Sequence, residues 1–386
     1  MPIAVIAGYL RTPFHFARKG ALADVRPDDL AGQLLASLLA KYPVEPADIE
    51  DVIWGCSYPE GEQGDNLARI VSLLAGLPIS VSGMTVNRFC GSSMSAIHIA
   101  AGQIAAGAGN LFVCGGVESM SRVPQGGHTP SPNPRFKSPE DADAEIPVEA
   151  NISMGQTAEN VADRYDVTRS AQDQLAWQSQ HKAHAAQQAG RLVEEIAPVI
   201  TPQGIVSQDG CLRPQTTLEG LAGLKPVFRV NGTVTAGTAS PLTDGAAAVL
   251  VCSQDYALAN GLPIMARIRA FATVGCEPEV MGMGPVGATR KALARAGLTI
   301  GEIGVVEMNE AFASQAIACM SELGISEETL NLDGGGIAIG HPLGATGARI
   351  TGKAAQLMRR QNSEFALSTQ CIGGGQGIAT VLEMNH

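Results

Sequence analysis

Residues 92–106, SSMSAIHIAAGQIAA, constrain this chain more than any other segment. Small or apolar side chains fall on every face of the helix they predict, and no Asp, Glu, Lys or Arg interrupts them. A helix without a polar face has no side to turn to water and must be enclosed. Its Ala, Ser and Gly residues let neighbouring backbones come close, as expected of a helix sandwiched between two sheets. His98 and Gln103 are expected to satisfy hydrogen bonds inside that core.

Around this helix, short apolar runs alternate with helical stretches: 3–7 then 28–40, 52–54 then 66–74, 85–86 then 92–106, and 111–115. The rhythm is that of an α/β fold, and 386 residues are more than one core usually serves. From about 119 to 238 the texture changes. Pro124, Pro130, Pro132, Pro134 and Pro139, with Gly126 and Gly127, predict an irregular segment, followed by helices near 157–165 and 170–189. We read this stretch as a large inserted loop domain. Alternation resumes at 246–252 and runs from 266 to the end. Residues 48–53 (DIEDVI), before the turn at Gly55 and Cys56, resemble 302–307 (EIGVVE), before Met308 and Asn309. Two similar halves would set their strand-end turns face to face, where open α/β sheets collect ligands.

A net charge of -11 and a pI near 5.1 argue against a nucleic-acid partner, so any anionic ligand must be held locally. Only 16% of residues are charged while 45 are glycine, which suggests extensive subunit contact and hence an oligomer. No apolar stretch reaches 18 residues and the first residues lack a charged leader, so a soluble, cytoplasmic protein is expected. Eight cysteines without a CxxC pair fit reduced thiols, most of them small core residues. No metal is expected: His181 and His184 share a helix face but lack a third ligand. Residues 347–354 nearly match a phosphate-binding loop, but Ala354 stands where that loop needs Ser or Thr.

Cys90 lies in TVNRFCGSS, which predicts a strand, a tight turn and a helix start. A free thiol titrates near about 8.5, and a helix N-terminus with a nearby imidazole is expected to lower that value and make a nucleophile. His341 is the only ionisable group in the Gly-dense GGGIAIGHPLGATG and could reach a thiol and an acyl oxygen. Cys371 opens CIGGGQG, and Asn309 begins NEAF at a strand end. Glu310 either orients the Asn309 turn or forms a structural salt bridge.

These four motifs, in this order, resemble those of the thiolase family, the acetyl-CoA acyltransferases. The likeness extends to GGVESMS at 115–121, MGQTAEN at 154–160, VTAGTAS at 234–240 and DGAA at 244–247, and runs from Arg11-Thr12-Pro13 to the final strand. It implies the thiolase fold: two similar α/β halves forming a five-layer α-β-α-β-α core. The first half would take residues 1–118 plus 248–265, the inserted loop domain 119–247, and the second half 266–386.

The resemblance also implies roles. His341 would take the proton of Cys90, whose thiolate attacks the 3-keto carbon of a 3-ketoacyl-CoA. His341 and a water held by Asn309 would stabilise the enolate oxygen, and Cys371 would act as acid and then base. The N–H groups of Cys90 and Gly373 would form a second oxyanion hole. Arg213 would meet the adenine end of CoA, with Phe228, Ala236, Ser240, Met154 and Phe312 as channel walls. CoA would be a substrate, with no permanently bound cofactor. A homodimer or dimer of dimers is expected, its subunit contacts in the Pro-rich segment, or a complex with a hydratase-dehydrogenase subunit. Short-chain members often carry His or an aromatic residue where this chain has Ser153, which favours a degradative enzyme of broad chain length. The alternatives are a biosynthetic acetoacetyl-CoA thiolase and a non-catalytic acyl-CoA-binding scaffold. A ketoacyl synthase would want a histidine in place of Asn309.

Overall fold

The uncharged helix lies between two layers of strands, and the elements around it explain how. A computed structural model describes residues 2–138 and 143–385; Pro139, counted above among the prolines of the irregular segment, lies outside them. The chain begins with β1 (Ala4–Arg11), the short β2 (His15–Phe16), α1 (Pro27–Lys41), β3 (Asp51–Gly55), α2 (Leu67–Leu74), β4 (Ser82–Val86), α3 (Ser92–Ala105) and β5 (Leu111–Ser119). Regular structure is then sparse until α4 (Met154–Arg164) and α5 (Arg169–Gln188), the hairpin β6 (Val199–Thr201) and β7 (Gly204–Val206), and α6 (Leu218–Ala222). There follow β8 (Thr243–Ser253), α7 (Gln254–Ala259), β9 (Ala266–Gly275), α8 (Gly284–Ala296), β10 (Val305–Met308) and α9 (Ala313–Leu323). The chain closes with α10 (Gly336–Ile339), α11 (Leu343–Gln361), β11 (Phe365–Ile372) and β12 (Gln376–Glu383).

The main sheet runs β10-β11-β12-β9-β1-β8-β5-β3-β4, and its two ends mirror each other. β3 pairs parallel with β5, which continues antiparallel through β8 to β1. Likewise β10 pairs parallel with β11, which continues antiparallel through β12 to β9. The weak repeat in the sequence thus falls on β3 and β10, which hold the same place in each set. The two sets are not separate sheets: β1 and β9 meet through Val5 with Arg267 and Ile6 with Ala266. Each would otherwise present an unpaired edge, and joining them removes it.

Helices α1 and α2 cover the outer face of the first set, with Leu34, Leu38 and Val71 against Val52, Trp54 and Val113. Helices α8 and α9 cover the outer face of the second, with Leu293 and Ala316 against Val306 and Val381. Between the sets lie α3 and α11. Ile97 and Ile104 of α3 share one cluster with Leu357 and Met358 of α11, Ile53 and Val251 of the first set, and Val305 and Leu382 of the second. The resulting order is helix, sheet, helix, sheet, helix. At Gly347 the inner helices come so close that a Cβ would lie 2.4 Å from the main-chain nitrogen of Met94. The segment resembling a phosphate loop is the buried middle of α11.

His98 behaves as its surroundings demand. Its Nε2 is 2.8 Å from Thr380 Oγ1, its ring stacks on Phe271 at 4.3 Å, and burial pushes it down to about 3. Gln103 does not join the core: the last turn of α3 emerges from between the sheets, and Gln103 is only half-buried there. In the insertion, buried Glu159 of α4 accepts hydrogen bonds from the N–H groups of Thr233 (2.8 Å) and Val234 (3.0 Å). That contact pins the returning chain to α4 ahead of Ala236 and Ser240.

Candidate active site

Cys90 sits in a turn between β4 and α3 that only dense local hydrogen bonding can hold. Phe89 has φ +43, a left-handed conformation uncommon for an aromatic residue. Its N–H donates to Asn87 Oδ1 (2.8 Å), and Ser92 Oγ both accepts from Arg88 N (2.9 Å) and donates to Phe89 O (2.6 Å). The second half grips the same turn. Gln370 donates its amide to the Cys90 carbonyl, and Arg88 donates to Gln376 Oε1 at 3.2 Å. These two glutamines flank the loop of Cys371 and Gly373. At Gly91 a Cβ would lie 2.5 Å from Ile372 Cδ1, so a side chain there would force Ile372 to shift.

Cys371, fully buried at the end of β11, packs with Phe312, Ala239 and Ala158, and with partly buried Met154. Burial pushes its thiol well above the ordinary value, with the charge of Cys90 the next cause. Gly373 faces Met154 and Phe89: a Cβ there would lie 3.4 Å from Met154 Sδ and 3.9 Å from Phe89 Cδ2.

His341 enters from the loop before α11, whose Leu343 shares a small apolar cluster with Cys90 and Met120. Its Nδ1 is 2.6 Å from Thr346 Oγ1, and that hydroxyl donates to Pro342 O at 2.9 Å. With the hydroxyl proton on Pro342 O, Thr346 accepts from Nδ1–H and Nε2 keeps its lone pair. Nε2 is buried and has no partner among the described residues, and the same holds for both amide atoms of Asn309. Buried polar atoms are rarely left so; these are available to a substrate or water. Asn309 is braced by its neighbour. Glu310 accepts from Ser179 Oγ (2.6 Å), Asn331 Nδ2 (2.7 Å) and Ile337 N (3.2 Å). Of the two readings of Glu310, the structure favours turn orientation, since none of the ion pairs among the described residues involves it.

The electrostatics correct one expectation. The Cys90 thiol is not held low: burial pushes it up to about 11, the N–H groups of Gly373 and of Cys90 itself pull it down, and the charge of Glu118 raises it. The helix end is outweighed because Cys90 is only 9% exposed and a thiolate is disfavoured away from water. The imidazole adds no charge, since burial and the cation of Arg349 push His341 down to about 3. A protonated thiol and a neutral imidazole with a free lone pair are suited to passing a proton from sulfur to nitrogen as bonding to substrate begins.

The residues expected to meet CoA lie on the insertion side. Phe228 and Phe312 meet edge to face at 5.9 Å, and Phe228 packs so closely on Gly155 that a Cβ there would lie 2.0 Å from its ring. Ala239, next to Ser240, bridges Phe312, and Ser240 N donates to Ala311 O at 3.0 Å. Ala236 is exposed. Arg213 is half-buried, its guanidinium 5.0 Å from the Phe16 ring, and it has no carboxylate partner among the described residues. Arg229 pairs with Asp163 and Asn160. Ser153 caps α4 by accepting from Gln156 N.

Reading from sequence alone passed over Gln370, Thr346 and the hub Glu118. Glu118 accepts from Ser57 N (2.9 Å), Tyr58 N (3.2 Å), Gln63 Nε2 (2.7 Å) and Gly344 N (2.8 Å), tying β5 to the start of the His341 helix. Each lies inside or beside a motif, and that adjacency is the one signal that could have marked it.

Comparison with known proteins accords with this arrangement. A family model for the thiolase N-terminal domain matches residues 4–255, and one for the thiolase C-terminal domain matches 262–384. The chain is 47% identical to proteins named 3-ketoacyl-CoA thiolase from Shewanella denitrificans and Shewanella oneidensis, over 99% of this chain and 100% of each relative. It superposes on human mitochondrial 3-ketoacyl-CoA thiolase in complex with CoA with a TM-score of 0.91 and 36% identity, covering 100% of this chain and 98% of the other. The chain belongs to the thiolase family of acyltransferases.

Proposed function

We propose that this chain is a 3-ketoacyl-CoA thiolase that cleaves 3-ketoacyl-CoA with CoA, releasing acetyl-CoA and a shortened acyl-CoA. The observation that carries the reading is the buried, unpartnered Nε2 of His341, next to a loop whose Leu343 packs with Cys90. His341 Nε2 takes the Cys90 proton as the sulfur attacks the 3-keto carbon. The bond between C2 and C3 then breaks, leaving acyl-Cys90 and the enolate of acetyl-CoA. The imidazole and a water on Asn309 meet the enolate oxygen, and Cys371 delivers its proton to C2. The Cys371 thiolate next takes the proton of incoming CoA, whose sulfur attacks the acyl carbon. During that step the N–H groups of Cys90 and Gly373 hold the oxyanion. Cys90 leaves and takes its proton back from the His341 imidazolium, so atoms and charge balance over the cycle.

Arg213 takes the adenine end of CoA, and Phe228, Ala236, Ser240, Met154 and Phe312 line its arm. Residues 119–247 form the unit that binds CoA and carries subunit contacts, between halves formed by 1–118 with 248–265 and by 266–386. The protein works as a cytoplasmic dimer or dimer of dimers, or with a hydratase-dehydrogenase subunit, in fatty-acid β-oxidation. Among the described residues no helix is long and apolar enough to cross a membrane.

Brief exposure to acetyl-CoA followed by peptide mass spectrometry tests the intermediate. An acetyl group on Cys90, lost in Cys90→Ser, is expected; an unmodified Cys90 favours a non-catalytic binder. Thiolysis rates on C4 and C16 substrates test the degradative assignment, and activity confined to C4 points to the acetoacetyl-CoA enzyme.

A further inference from the structure

The C-terminal end of α11 borders a cavity of about 600 Å³ that none of the steps above uses. Its walls are apolar and aromatic: Tyr9, Tyr42, Pro263 and Met265. Its charged lining comprises Lys41, Arg191, Arg359 and Arg360, opposed by a single lining carboxylate, Glu194. Arg191 and Arg360 already share Asp333, at 3.0 and 2.6 Å. The other two cations are uncommitted to any acid. Lys41 donates to the main-chain carbonyl of Glu194 and lies 5.5 Å from the centre of the Tyr42 ring. Among the described residues, the Arg359 guanidinium has no hydrogen-bond or ion-pair partner.

On a chain of net charge -11 this concentration of cations runs against the overall field. Any anion it attracts must be held by local contacts and not by long-range steering. A half-open pocket of this volume, with apolar and aromatic walls among its charged groups, has room for a small molecule. The site is separate from the Cys90 cleft. Helix α11 spans 19 residues from just after His341 to this cavity, about 28 Å at the usual helical rise.

We propose that this cavity binds a small organic anion: a phosphate or carboxylate head on an apolar or aromatic body. The head pairs with Arg359 and Lys41. The body lies against Tyr42, Pro263 and Met265, and Gln356 offers an amide to any polar edge. The site is read by binding alone, so its existence does not depend on the thiolase reaction.

Isothermal titration of the full chain tests the proposal, with the Arg359 and Lys41 variants assigning any binding to this cavity and not to the catalytic cleft. Three probes are used: adenosine monophosphate for a phosphate head, octanoate for a carboxylate head, and inorganic phosphate as a head without a body. Saturable binding of adenosine monophosphate or octanoate at one site per chain is expected, weakening with added salt. Arg359→Ala and Lys41→Ala should each weaken it about tenfold, the size of a lost charge-assisted contact, with turnover unchanged. Both residues are exposed, so folding is not at stake, and Arg359→Glu provides a charge-reversed check. Three results overturn the proposal: no saturable binding, binding indifferent to these substitutions, or inorganic phosphate binding as tightly as the organic anions.

Discussion

Gln370 donates its side-chain amide to the main-chain carbonyl of Cys90, 280 residues earlier. The contact ties the strand that ends in one thiol to the turn that carries the other. Gln376, just past the Cys371 loop, accepts from Arg88 on the same turn. The nucleophile's turn includes Phe89 in a left-handed conformation, and such backbone persists only where the surroundings over-determine it.

Replacing Gln370 with Leu leaves the Cys90 carbonyl unpaired, a cost of about 1–3 kcal/mol. The other amide atom of Gln370, Oε1, is buried without a partner, and its removal offsets part of that loss. A lower thermal midpoint is expected, with a several-fold fall in kcat and little change in KM. Thermal denaturation and steady-state thiolysis check it; unchanged values for both would show the contact to be idle.

Burial places the Cys90 thiol at about 11. Below that value the thiolate fraction rises about tenfold per pH unit. The rate of iodoacetamide inactivation should therefore climb from pH 7 through pH 10 without levelling. A plateau near pH 8.5 would mean that the helix end and its neighbours outweigh burial after all.

Thr346 sets the His341 tautomer by accepting from Nδ1–H. Losing the tautomer-fixing partner of a catalytic histidine costs up to about 10⁴ in kcat when that partner is a carboxylate. A neutral hydroxyl holds less firmly, so Thr346→Val is expected to lower kcat roughly 10- to 100-fold while Thr346→Ser retains most activity. Kinetics of the two variants with CoA and a 3-ketoacyl-CoA decide it, and equal rates would remove Thr346 from the mechanism.

Glu118→Ala strips an acceptor from three main-chain N–H groups and the Gln63 amide at once. Each unsatisfied buried donor costs about 1–3 kcal/mol, and water entering the gap recovers some of it. A net loss of roughly 3 kcal/mol or more is expected, read as a lower urea midpoint. Glu118→Gln, which keeps one acceptor oxygen, should lose less.

Local patterns in the chain were enough to anticipate α3, the strand, turn and helix around Cys90, and the return to alternation near residue 246. Each depends on near neighbours: side-chain periodicity, glycine placement and the absence of charge. The pairing of β1 with β9, the donation by Gln370, the Thr346 tautomer lock and the Glu118 hub were not legible. Their partners lie far apart along the chain or depend on where a side chain points, and nothing in composition separates a buried glutamine from a surface one.

The Cys90 thiol divides the two kinds of information. Its position at a helix start could be read from TVNRFCGSS, and that alone argued for a lowered value. The raised value comes from burial of the turn by the opposite half, where Ile372 meets Gly91, together with the field of Glu118. Sequence determined which groups stand next to one another along the backbone. Tertiary structure decided how much solvent reaches them and which distant donors face them, because dielectric surroundings and long-range contacts exist only once both halves have packed around the inner helices.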